Sequence, residues 1–66
     1  MNTEARRSGV AACLLEGMSN AQIAAALGVH RHTVEADIRV MQERHHAPSR
    51  VALALALERL LMAEAV

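Results

Sequence analysis

The segment SNAQIAAALGVHRHTVEADIRVMQER, Ser19 to Arg44, decides the fold. Ser19 can cap a helix, and Gln22, three residues on, completes a Ser-x-x-Gln capping box. Ile23, Ala24 and Leu27 then mark one face of a helix of about two turns, which Gly28 stops. A longer helix is predicted from about Arg31 to His45. Its Val34, Ile38 and Met41 fall at i, i+4 and i+7 on one side, and Arg31, Glu35, Arg39 and Gln42 lie on the other. Two short helices joined by a glycine-containing turn form a helix-turn-helix. In that motif the first helix crosses the nucleic-acid backbone and the second enters the major groove.

The flanks read as one further helix on each side. Upstream, Thr3 is the predicted N-cap, Val10, Cys13 and Leu14 with Arg6 or Arg7 form the stripe, and Gly17 stands at C′. Gly9 inside this helix costs about 1 kcal/mol relative to Ala, which only close approach of a neighbour would explain. Downstream, Ala47-Pro48 breaks the chain, because the residue before proline avoids the α region. Ser49 then caps a fourth helix from Arg50 to about Ala63. Its Val-Ala-Leu-Ala-Leu-Ala-Leu alternation imitates a strand, but alanine is a poor strand former and the continuation Glu-Arg-Leu-Leu-Met-Ala-Glu is helical. The expected class is all-α, with four helices in one domain spanning 1–66.

Composition narrows the function. A chain of 66 residues buries about 60% of the surface it exposes when unfolded. Such a core needs a staple or a partner. Cys13 is the sole cysteine, so neither an intrachain disulfide nor a Cys-x-x-Cys zinc module is available, and oligomerisation is left. Hydrophobic content of 53% excludes a disordered chain. The apolar run Val51 to Leu57 is far short of the about 18 residues needed to span a bilayer. The start does not resemble a signal peptide, and a reduced, cytoplasmic protein is expected. With no aromatic residue there is nothing on which single-strand readers stack bases. Seven arginines balance seven acids, so any case for nucleic acid rests on local geometry rather than bulk charge.

Glu16-Gly17-Met18-Ser19-Asn20, Ile23-Ala24, Leu27-Gly28-Val29 and Thr33-Val34-Glu35-Ala36 together resemble the DNA-binding domain of LuxR/FixJ-type (GerE-like) regulators. Ala47-Pro48-Ser49-Arg50-Val51 resembles that family's link into its fourth helix. The resemblance runs from about Arg6 to Leu61. It implies a four-helix domain that binds duplex DNA as a homodimer through the C-terminal helix, here without the sensory half. Some positions depart from the family pattern. Arg7 stands where Glu is common and Asp37 where His is common, near the phosphates; Asp37 would repel the backbone if it pointed that way, and otherwise orients an arginine or caps structure. Ala21 replaces a basic residue, and His45-His46 a frequent Leu-Gly.

The expected DNA-binding residues are therefore Ser19, Asn20, Arg31, His32, Thr33, Glu35, Ala36 and Arg39. Arg31 and Arg39 suit guanine or phosphate, and Glu35 can accept from cytosine N4. Asn20 and Thr33 suit phosphate oxygens. Ser19 caps a helix N-terminus that can itself face a phosphate. In the fourth helix, Leu53, Leu57, Leu60 and Leu61 are expected to pack on the first and third helices. Ala52, Leu55, Arg59 and Met62 are left for a two-fold dimer interface. No metal is expected: His30 and His32, two apart, should lie on different helix faces, and His45-His46 likewise. Cys13 reads as a small core hydrophobe. No cofactor motif or catalytic constellation appears, so the chain is not expected to be an enzyme.

Together these features predict a small duplex-DNA-binding regulator. Its size suits an operon autorepressor of a phage or mobile element. Two readings compete with it. One is a protein-interaction module of the same fold that pairs with or inhibits another LuxR-type regulator, as the neutral charge would suit. The other is a sigma-factor region-four-like element, against which the fourth helix and the Ser19-Asn20 pair argue.

Overall fold

Three hydroxyl and amide side chains start three of the helices. In the computed structural model, which describes residues 1–65, α1 spans Thr3–Leu15, α2 Asn20–Leu27, α3 Arg31–Arg44 and α4 Arg50–Glu64. At α2 the capping box is complete: Gln22 N donates to Ser19 Oγ at 3.2 Å and Ser19 N donates to Gln22 Oε1 at 2.8 Å. At α4, Ala52 N donates to Ser49 Oγ at 3.1 Å. At α1 the cap is Asn2, not Thr3. Ala5 N donates to Asn2 Oδ1 at 2.8 Å, which places Thr3 at the first helical position. The cap of α3, His30, makes no side-chain bond to the helix amides.

The C-termini of α1, α2 and α3 close by one rule. In each, the amide of the residue after a left-handed position reaches back five residues to a carbonyl of the last turn: Met18 to Cys13 at 3.2 Å, Val29 to Ala24 at 3.0 Å, Ala47 to Gln42 at 2.8 Å. This is the Schellman arrangement. It needs a residue with positive φ, supplied by Gly17 (φ 79°), Gly28 (φ 68°) and His46 (φ 52°). The residue after each, Met18, Val29 or Ala47, folds back onto the core. Such a conformation costs a residue with a Cβ about 1–2 kcal/mol. Part of that gain is offset by the greater unfolded-state freedom of glycine. His46→Gly is therefore expected to stabilise the domain by about 1 kcal/mol and to raise Tm by about 4–8 °C, as read by thermal denaturation.

The core is small. It consists of Val10 and Leu14 from α1, Ile23 and Ala24 from α2, Val34, Ile38 and Met41 from α3, and Leu53 from α4. Cys13 is only half-buried and packs against its edge. Gly9 lets α1 approach the end of α2, where Leu27 Cδ2 lies 3.0 Å from the position a Cβ would occupy. The expectation for α4 needs correction. Leu53 is buried and Leu57 partly so, but Leu60 and Leu61 are 48% and 55% exposed. They form one wall of an open groove of about 310 Å³ whose other wall is Ser8, Ala11, Ala12 and Leu15 of α1. The small α1 side chains do not reach far enough to cover the leucines. No helix among the described residues is long and apolar enough to cross a membrane.

Candidate nucleic-acid interface

The burial of Val34, Asp37, Ile38 and Met41 fixes how α3 is turned. At helical spacing this leaves His32, Glu35, Ala36, Arg39 and Glu43 pointing away from the core, and all five are exposed. Arg31 and Thr33 lie on opposite flanks of that face, Arg31 exposed and Thr33 half-buried. Arg31 and Arg39 are about 12 Å apart along the helix axis. The expected residues therefore form a face with two flanks, and Glu43 adds an acid at its far end that the sequence reading did not include.

Four of the expected residues meet in one concavity. Ser19, Asn20, Arg31 and Glu35 line an open hollow of about 590 Å³ together with Gln22 and Arg50. Arg31 Nε lies 3.6 Å from Glu35 Oε1, a partly exposed i,i+4 pair that restrains the guanidinium without burying it. Arg39 is separate and borders a second recess with Gln42, Glu43 and His46. Arg50 was read only as the first residue of α4, yet it organises the hollow. Its Nη1 donates to Asn20 Oδ1 at 2.6 Å and its Nη2 to the carbonyl of Met18 at 2.7 Å. Asn20 is thus left with its amide Nδ2, a donor, to offer an outside group.

Asp37 does not face the backbone side at all. It is 1% exposed, the one buried charged residue among those described. Arg6 donates from Nε to Oδ2 at 2.6 Å and from Nη2 to Oδ1 at 2.7 Å, and Arg7 donates from Nε to Oδ1 at 3.2 Å. The Arg6 hydrogen bonds hold the carboxyl below the usual carboxylate range, with Arg7 assisting and burial opposing. The same bonds raise Arg6. Of the two roles open to Asp37, the structure therefore supports the second: it holds arginines inside the fold and does not point outward. Arg7 for Glu and Asp37 for His, which read as separate departures, form one exchange of charges between α1 and α3. The signal was their joint occurrence.

The histidines also differ from the reading. His30 and His32 do not lie on different faces: their rings stack, with centroids 5.4 Å apart and planes 8° from parallel. His30 is the cap and has extended backbone, so helical spacing does not apply to it. No group of three or more His, Cys, Asp or Glu side chains converges among the described residues. Because His30 leaves the first amides of α3 without a side-chain acceptor, His30→Asp is expected to stabilise the domain by about 1 kcal/mol in urea denaturation.

No curated protein and no solved structure shows significant similarity to the chain. Residues 5–57 match the GerE family, described as bacterial regulatory proteins, luxR family. The match takes in the capping box, the turn at Gly28, the whole of α3 and the first half of α4. The chain belongs to this luxR family of bacterial regulatory proteins, a helix-turn-helix family of DNA-binding transcription regulators.

Proposed function

We propose that the protein is a sequence-specific duplex-DNA-binding regulator that acts as a homodimer through α4. One observation carries the reading: the outward face of α3 is exposed and holds His32, Glu35, Ala36 and Arg39, with Arg31, Ser19 and Asn20 gathered along one flank. In this reading α3 enters the major groove. Arg31 and Arg39 are the candidates for guanine edges, and Glu35 for cytosine N4. Ser19, Asn20 and Thr33 contact the phosphates that set register.

Selection of bound duplexes from genomic fragments at low salt, the region upstream of its own gene included, tests this. With the selected operator, Arg39→Ala is expected to weaken binding by about 1–3 kcal/mol. Unchanged affinity for both Arg31→Ala and Arg39→Ala would remove α3 from the groove. A second reading, a module that pairs with another regulator of the family, is favoured by the zero net charge and by Glu43 on the α3 face. Failure to retain any duplex at low salt, with capture of a full-length LuxR-type regulator, would establish that reading instead.

A further inference from the structure

The outward stripe of α4 is complementary to its own reverse, apolar to apolar and acid to base. Leu55, Glu58, Arg59 and Met62 recur at i, i+3, i+4 and i+7, and together they line one shallow recess. Leu55 and Met62 are 51% and 67% exposed, large apolar groups left open among the described residues. Glu58 and Arg59 between them are exposed, and neither takes part in an ion pair among the described residues. The midpoint of the stripe falls between Glu58 and Arg59, and Leu55 and Met62 stand equally far to either side. A second copy of the helix, turned end over end about that midpoint, sets apolar groups on apolar groups and each acid on a base.

From this we infer the register in which two copies meet. The α4 helices cross antiparallel about a two-fold axis at the Glu58–Arg59 midpoint. Leu55 packs on Met62 of the second copy and Glu58 pairs with Arg59 of the second copy, each contact occurring twice. This rests on the dimer reading above, and it adds the register and Glu58, which that reading leaves out. The alternatives each carry a fault. A parallel pair opposes Glu58 to Glu58 and Arg59 to Arg59. Sliding the antiparallel pair by one turn places Arg59 against Met62, or Leu55 against Glu58. A foreign helix has no need of a stripe that complements itself, whereas an isologous contact requires one. Two apolar groups per copy make a small seam, well below the about 1,600 Å² of a standard interface. Association without DNA is therefore weak. Exposed ion pairs add little affinity, and their part is to select the register.

Reversing the charges tests the register. Sedimentation equilibrium at tens to hundreds of micromolar is run on wild type, Glu58→Arg, Arg59→Glu, their equimolar mixture and the double variant. Both positions are exposed, and helical circular dichroism checks that each variant folds. Each single variant opposes like charges twice, so its dimer Kd is expected to rise about tenfold. The mixture of the two, and the double variant alone, are expected to return to wild-type affinity, because both restore acid against base. A wild-type dimer that is indifferent to both reversals, or a mixture no tighter than its components, overturns the register and leaves the dimer standing. Wild type that stays monomeric over the whole range and on operator DNA overturns the dimer and the register with it.

Discussion

Asp37→Asn is expected to cost the domain about 2–4 kcal/mol, most of its stability. Removing one partner of a buried ion pair costs about 3–5 kcal/mol, because the other charge is left without compensation. The arginines here are 24% and 20% exposed on their side chains, so water screens part of that loss. A single core of this size rarely supplies more than roughly 3–5 kcal/mol. Urea denaturation followed by circular dichroism reads the difference, and a loss below about 0.5 kcal/mol would show that the three hydrogen bonds are surface decoration. The effect has a pH signature. The Asp37 carboxyl is held below its unfolded value, so its contribution is fully present above about pH 4. It is lost as pH falls through the lower folded value. Wild type and Asp37→Asn should therefore converge in stability as the solution is made strongly acidic.

Leu55→Glu carries the second large effect, on association. It places one carboxylate from each copy against Met62 of the other, in the two apolar contacts that flank the proposed two-fold. The variant is expected to sediment as a monomer and to melt at lower temperature at concentrations where wild type is dimeric. Operator binding should fall by about 100-fold or more, because the second half-site is no longer held at high effective concentration. The fold itself should persist, since Leu55 is half exposed in the single chain. Leu60→Glu is the control: Leu60 faces the α1 groove on the other side of α4, and this variant should still dimerise.

Helix positions were largely legible because they are set by local chemistry. Ser19 with Gln22, Ser49, Gly17 and Gly28 act within a few residues of themselves, and the structure places all of them as read. Where the signal was local but ambiguous, the reading slipped by one residue, as with Thr3 for Asn2. The end of α3 was less legible, because a histidine gives no sign that it will take a glycine conformation. Contacts between distant residues were not legible at all. Arg50 meets Asn20 and Met18, and Asp37 meets Arg6 and Arg7, only through the packing of different helices. Periodicity placed Leu60 and Leu61 on the inner side of α4 but carried no information on whether the opposing α1 side chains were long enough to cover them.

The two hydrogen bonds of Arg50 also bear on how an operator is laid out. They fasten the first turn of α4 to the start of α2 and to the turn before it, so the helix proposed to carry the dimer seam and the helix proposed to cross the backbone are tied together at one end. In the proposed dimer, the angle and distance between the two α3 helices are then set within each copy by this fastening, and only the small seam between copies is left to absorb an error. Duplex DNA repeats about every 10–10.5 base pairs, so one inserted pair turns a half-site by about 35° around the axis. With the helices of each copy tied together, the seam alone would have to follow that rotation. The operator of such a protein is defined by helical phase as strictly as by its bases, and loosening Arg50 would widen the range of spacings accepted before it changed which bases are read.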